Sequence, residues 1–322
     1  MVKSLIVVTR KIPRAGLDLL EGRYELKLSL HDRVLKAVEL WKFVKGADAI
    51  LCLLTDKIDR KALEAAGPKL KIVANYAAGF DNIDFGACRK RKVIVTNTPG
   101  VLTEAVAEQS FALLMAVARR LVESDKFVRT AKYHGWEPEL LLGHELAGKT
   151  LGILGLGRIG SRVAEIAALG YKMNVVYYDR GKADRELDSR LGAKAVTMRK
   201  LLTTSDFVSL HVPLLRETRH LIGKPELESM KKTAILINTC RGPVVDENAL
   251  AWALKNKVIW GAGIDVFEFE PKVTPELKKL DNVIMTPHTA SATHEARDAM
   301  AVLAAKNIIA VLEGKPPLTP VK

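Results

Sequence analysis

Three polar side chains in the second half of the sequence stand at or just past the end of an apolar, strand-like run: Arg241 in TCRG, Glu270 in FEFEP and His288 in TPH. Their chemistries are complementary. The rigid fork of an arginine holds a carboxylate and a neighbouring carbonyl oxygen through paired hydrogen bonds. Histidine titrates nearest to neutral pH and can give a proton to an oxygen that is gaining charge. A carboxylate beside it fixes one tautomer and favours the imidazolium. Together they suit hydride transfer to or from C2 of a small 2-keto or 2-hydroxy acid. Taken singly, each also has an ordinary explanation: Arg241 as a cap partner, Glu270 as a surface charge before Pro271, His288 as a satisfied core or turn histidine.

Such chemistry needs a hydride carrier, and a second motif supplies a place for one. Gly155-Leu156-Gly157-Arg158-Ile159-Gly160 follows the apolar run KTLGILG and opens the helical stretch SRVAEIAALG. In a dinucleotide fold the first glycine makes the tight turn, the second lets the backbone approach the pyrophosphate, and the third permits close helix packing. The helix N-terminus then receives the phosphates. Glycines alone also fit a plain βα turn, but Asp179 closes the next strand-like run nineteen residues beyond Gly160. A carboxylate there binds the adenosine ribose 2′-OH and repels a 2′-phosphate, which favours NAD. Arg180 and Lys182 follow it directly, and an arginine there can pair a 2′-phosphate, so NADP stays open.

The elements that must position these groups come in two series. Short β-branched runs at 4–9, 24–30, 47–54, 70–76 and 92–97 alternate with helical patterns near 14–21, 32–45, 59–66 and 84–91. This alternation predicts a small doubly wound parallel sheet, close to flavodoxin-like. Residues 102–130 read as one linking helix with an acidic first turn. A second series, at 149–155, 174–179, 206–212, 234–239, 261–266 and 282–288, predicts a six- or seven-stranded Rossmann sheet. The last helical stretch, 291–313, is expected to cross back to the first domain. The expectation is therefore α/β: two doubly wound parallel-sheet domains with a cleft between them and a hinge where the chain crosses. Residues 1–99 with 290–322 form the substrate domain, and 100–289 the dinucleotide-binding domain.

Composition excludes several other classes. Apolar residues at 48% and charged residues at 27% describe an ordinary folded domain rather than a disordered chain. No apolar run reaches the ~20 residues of a membrane span, and MVKSLIVVTRK reads as a strand rather than a leader, so a cytoplasmic location is expected. Cys52, Cys88 and Cys240 form no CxxC pair and have no histidine at ligand spacing, which supports neither disulfides nor a metal site. They are expected to be buried as small hydrophobes. The formal charge of +13 is spread along the chain without a basic run or aromatic-interleaved stripe. It suits small anions better than nucleic acid.

The stretch 155–288, with GLGRIG, YYD, HVPL, INTCRGPVVDE, GIDVFEFEP and TPHTASA, resembles the D-isomer-specific 2-hydroxyacid dehydrogenase family. IVANYAAGFDNID (72–84) and VTNTPGVLTEAVAE (95–108) are similar to its glyoxylate and hydroxypyruvate reductase branch. The resemblance implies Arg241 as substrate-orienting cation, His288 as proton donor and acceptor, and Glu270 as partner of the histidine. It implies cofactor contacts from Gly155, Gly157, Arg158, Ile159, Gly160, Asp179, Arg180, His211, Pro213, Thr239, Cys240 and Ala290, with Asp265 on the nicotinamide amide. The backbone of Ala78 and Gly79 would receive the substrate carboxylate, with Leu53 near its side chain. Trp136 in GWEP matches a tryptophan that in this branch reaches the neighbouring subunit's active site; a plain interface or core aromatic is the alternative, and a homodimer is expected either way. Other readings are a D-lactate or D-3-phosphoglycerate dehydrogenase, an NAD-sensing co-regulator, and phosphite dehydrogenase, which places a lysine where this chain has Ala78.

Overall fold

The computed structural model describes residues 3–181 and 185–321, and Lys182 lies outside them. The chain divides into two compact units, Met1–Leu102 with Ala292–Lys322, and Thr103–Ser291.

In the first unit β1 (Leu5–Val8), α1 (Arg14–Leu17), β2 (Glu25–Leu28), α2 (Ala37–Phe43), β3 (Ala49–Leu53), α3 (Arg60–Ala66), β4 (Ile72–Tyr76), α4 (Phe85–Lys90) and β5 (Ile94–Thr96) follow one another. All pairings are parallel, in the order β2-β1-β3-β4-β5, which is the flavodoxin-like order. Interior strand β4 is buried at every position, as expected of a parallel strand covered on both faces. Side-chain caps start two of its helices: Asp59 accepts from Ala62 N and Asp84 from Ala87 N. The tail of the chain joins this unit, because the Val321 amide donates to the Val95 carbonyl at 2.9 Å.

In the second unit come α5 (Thr103–Ala118), α6 (Leu121–Arg129), β6 (Thr150–Leu154), α7 (Arg158–Glu165), β7 (Asn174–Tyr178), α8 (Arg185–Leu191), β8 (Lys194–Ala195), α9 (Met198–Thr204) and β9 (Phe207–Leu210). Then follow α10 (Lys224–Ser229), β10 (Ile235–Asn238), α11 (Glu247–Lys255), β11 (Gly261–Ile264) and β12 (Val283–Met285), before α12 (His294–Leu312) returns to the first unit. The sheet order β12-β11-β10-β9-β6-β7-β8 is the Rossmann order with one strand added at the β12 edge. Its seventh strand, β8, is only two residues long, which explains why the hydrophobic pattern did not reveal it.

The linking helix expected over 102–130 is two helices. Arg120, at φ 51°, breaks it in the left-handed region. α5 packs its apolar positions into the core, whereas α6 buries none of its residues and leaves Leu121, Val122 and Val128 exposed. One continuous helical pattern thus covered two different environments. Among the described residues no helix is long and apolar enough to cross a membrane.

Candidate active site

In the second unit the strands end in loops that carry almost every side chain singled out above. At the end of β6, Gly155 has φ +95°, and a Cβ there would lie 2.7 Å from the His211 carbonyl oxygen, so only glycine fits. A Cβ on Gly160 would meet the Gly155 carbonyl oxygen at 2.1 Å, so the helix start packs directly on the turn. Around Gly157, by contrast, no protein atom lies within 4 Å of a Cβ position. No side chain caps α7, and the amide groups of a helix's first turn have no acceptor within the helix. These residues fit a phosphate. Arg158 is exposed beside them and Ile159 is half-buried.

Asp179 does more than await a ribose. One carboxylate oxygen accepts from the Leu156 amide at 2.7 Å and the other from the Gly181 amide at 2.7 Å, which ties the glycine turn to the end of β7. A carboxylate offers about four acceptor positions, so room for a ribose diol remains. Arg180 beside it is exposed.

After β9, His211 shares a 2.8 Å hydrogen bond with buried Ser209 through Nε2, and burial pushes its pKa down to about 3, so the ring stays neutral. Pro213 lends its carbonyl to the Thr218 hydroxyl at 2.6 Å, pinning the loop that follows.

After β10, Asn238 builds the turn that presents Arg241. Its Oδ1 accepts from the Cys240 amide and its Nδ2 donates to the Arg241 carbonyl, both at 3.1 Å. Thr239 bonds Ser110 of α5 at 2.8 Å. Cys52 and Cys88 are buried, but Cys240 is only partly so. Burial pushes its thiol up to about 11, and the protonated sulfur donates to Asn238 Oδ1. Cys240 is therefore part of the turn rather than core filling.

After β11 and β12, His288 Nδ1 and Glu270 Oε2 stand 3.0 Å apart, and the Phe267 amide donates to the other Glu270 oxygen at 3.0 Å. Burial works to raise the Glu270 pKa, but the bond and charge of His288, the Phe267 amide and the Arg241 charge together hold it below the ordinary carboxylate range. With Nδ1 engaged, Nε2 is the ring nitrogen left to face a reactant. His288 has φ 55°, a left-handed conformation that costs a non-glycine residue ~1 kcal/mol. Asp265, fully buried, supports that loop: its carboxylate accepts from Thr286 Oγ1 at 2.6 Å and from the Thr289 and Ala290 amides at 2.8 Å, while its carbonyl accepts from His288 N at 2.8 Å. The carboxylate expected at the nicotinamide amide is thus the one that holds the histidine loop.

A cavity of about 480 Å³ in this unit, lined by Val117, Arg120, Leu254, Trp260 and Asn282 among others, lies at the amino ends of the strands, away from all of these groups.

In the first unit, Leu53 ends β3, and the turn Ala77-Ala78-Gly79 follows β4. All three carbonyls of the turn are taken: Thr98 N donates to Ala77, Asn97 Nδ2 to Ala78 at 2.6 Å and Asn75 Nδ2 to Gly79 at 2.7 Å. No acceptor among the described residues takes the amide of Ala78 or Gly79. Successive amides without a protein acceptor can form an anion cradle. Asn75 and Asn97, which build it, are not among the residues singled out from the sequence, although a polar residue inside or closing the apolar runs IVANY and KVIVTN was the available signal. Trp136 lies in the second unit on the largely exposed stretch 131–145 and is 83% exposed.

Fold and site together define a nicotinamide-dependent oxidoreductase. The sequence profile of the "D-isomer specific 2-hydroxyacid dehydrogenase, NAD binding domain" matches residues 111–290, and the chain belongs to that family. Among its relatives, a glyoxylate reductase of Thermococcus litoralis is 51% identical over 320 residues, covering 98% of this chain and 96% of the relative. The crystal structure of a glyoxylate reductase from Paecilomyes thermophila aligns with a TM-score of 0.89 at 32% identity, over 100% of this chain and 99% of that one. An NADPH-dependent glyoxylate/hydroxypyruvate reductase from Sinorhizobium meliloti, solved with NADP and malonate, aligns at 0.86 and 32% identity over 99% and 97%. The chain is an NAD(P)-dependent dehydrogenase.

Proposed function

We propose that this protein reduces glyoxylate and hydroxypyruvate, with NADH preferred over NADPH. The observation that carries the reading is the His288–Glu270 pair beside the Asn238-built turn of Arg241, in a chain half identical to a glyoxylate reductase. In this reading the Arg241 guanidinium receives the acid's carboxylate and polarises the C2 carbonyl. Bound reduced nicotinamide supplies the hydride to C2. His288 protonates the carbonyl oxygen from Nε2 as charge develops, and Glu270, held ionised, keeps Nδ1 protonated and stabilises the imidazolium. Asp265 faces the nicotinamide amide and braces the loop that carries His288. The glycine turn and α7 receive the cofactor phosphates, and Asp179 selects the unphosphorylated ribose; Arg180, His211, Pro213, Thr239, Cys240 and Ala290 line the remainder of the cofactor site. Ala78 and Gly79 offer their amides to a carboxylate, with Leu53 as a neighbouring contact.

Stretch 131–145, exposing Tyr133, Trp136 and Leu142, supports a homodimer, since aromatic residues are enriched at interface cores. Sedimentation at twice the chain mass is expected. A cytoplasmic location accords with this chemistry.

The test follows nicotinamide absorbance with glyoxylate, hydroxypyruvate, pyruvate and 3-phosphohydroxypyruvate, each with NADH and NADPH. Fastest turnover on the first two with NADH is expected; turnover confined to either of the others would move the protein to another branch.

A further inference from the structure

Glu247 is the first residue of α11, a position where an acidic side chain usually reaches into solvent near the positive end of the helix. Here it is 2% exposed. The helix does not need it as a cap, because Asp246 already accepts from the Asn248 and Ala249 amides at 3.0 and 3.1 Å. The Glu247 carboxylate points instead at another segment, the loop after β11 that carries Glu270. One oxygen accepts from the Glu268 amide, the other from Thr274 Oγ1 at 2.5 Å and the Thr274 amide at 3.2 Å. Its carboxylate is thus held in the interior by hydrogen bonds from two main-chain amides and one hydroxyl.

The two donor residues bracket Glu270 by two positions on one side and four on the other. The loop is staked from a second direction as well: the Glu268 carboxylate, itself 4% exposed, accepts from His220 Nε2 at 2.7 Å and Arg219 at 3.0 Å. It also lies against the turn of Arg241, since a Cβ on Gly242 would stand 1.9 Å from the Phe267 carbonyl. Arg241 and Glu247 are six residues apart on one continuous segment, so a buried carboxylate on the arginine's segment grips the loop of the histidine's partner.

We propose that Glu247 is a positioning residue for catalysis, setting where Glu270 stands relative to His288 and Arg241. The inference rests on the roles proposed above for those three. Glutamine has the same shape but would turn an amide N–H₂ toward main-chain donors, leaving one of them unpaired in the interior. Small displacements of a reacting group are costly; about 1 Å can lower turnover by about 10²-fold.

The experiment is a double-mutant cycle read in kcat, with NADH affinity measured separately by fluorescence. Glu247→Gln is expected to lower kcat about tenfold, leaving KM for the keto acid and the NADH Kd within about twofold. In a Glu270→Gln background the same change should cost less than about twofold, because the group it positions is gone. Should Glu247→Gln not fold, Thr274→Val, which removes one hydroxyl donor, takes its place with a smaller loss in the same direction and the same disappearance. An undiminished loss in the Glu270→Gln background, or a loss of NADH affinity matching that in kcat, would overturn the proposal. If Glu270→Gln itself leaves kcat unchanged, the assignment of the site has failed and the positioning role with it.

Discussion

Both units hold their strand-end loops with polar side chains, and the balance of chemistry differs, although Asp56 accepts from the Leu53 amide in the first and Asn238 donates to the Arg241 carbonyl in the second. In the first, neutral asparagines donate to carbonyls: Asn75 and Asn97 take the Gly79 and Ala78 oxygens, and Asn82 takes those of Leu53 and Asp56. In the second, carboxylates accept from amides: Glu247 takes Glu268 and Thr274, and Asp265 takes Thr289 and Ala290. Occupying carbonyls leaves a loop that presents its own N–H groups, which suits an anion, and neutral scaffolding adds no repulsion. Occupying amides leaves a loop whose backbone is closed and whose side chains do the work. On the roles proposed above, the first unit offers backbone amides to the substrate carboxylate, while the second places the side chains of Arg241 and His288 at the reacting carbon.

If that contrast is right, side-chain deletions in the second unit should be the most damaging. His288→Ala is expected to lower kcat by about 10³-fold, within the range typical of a general acid, and to change KM little. Arg241→Ala should lower kcat/KM by about 10²-fold or more, damaging both terms, because a charge-assisted paired contact serves binding and reaction alike. Equal, mild losses in the two variants would remove the distinction. A loop that works through its backbone should instead respond to its orienting side chain: Asn97→Ala frees the Ala78 carbonyl and is expected to raise KM for the keto acid about tenfold at nearly constant kcat. A fall in kcat with KM unchanged would show that the first unit does more than bind.

The sequence displayed the parts of the molecule that repeat a local rule. Alternating apolar runs marked both sheets, and glycines at fixed offsets before a helix marked the phosphate turn. Arg241, Glu270 and His288 were legible because ionisable residues at the ends of apolar runs are conspicuous. What stayed hidden depends on tertiary partners. The break at Arg120 leaves the helical period of residues 102–130 intact, so only the change from buried α5 to exposed α6 reveals it. β8 is too short for any periodicity to register. Glu247 and Asp265 look like a helix-start acid and a strand-end acid, and only the amides that converge on them disclose their work.

The smallest effect tests the electrostatic half of the contrast, and it is one of sign. Glu270 is held below its ordinary value: burial opposes ionisation, but His288, the Phe267 amide and Arg241 outweigh it. The unfolded chain therefore binds the Glu270 proton more readily than the folded one, and the stabilisation is complete above the ordinary carboxylate range. It is lost as pH falls through the depressed folded value. Asp56, in the first unit, is shifted the other way: burial raises its pKa further than Thr9, the Leu53 amide and Arg10 lower it. Its folded form takes up the proton first, so the Asp56 contribution is fullest below its ordinary value and declines as pH rises through the raised one. Urea unfolding of the parent protein, Glu270→Gln and Asp56→Asn between pH 3 and 7 separates the two. The parent's advantage over Glu270→Gln should grow with pH, to under about 1 kcal/mol for so partly solvated a pair. Its advantage over Asp56→Asn should shrink with pH. Slopes of the same sign would mean that the two carboxylates share one kind of environment, and the opposite balance of burial against partners assigned to them would not hold.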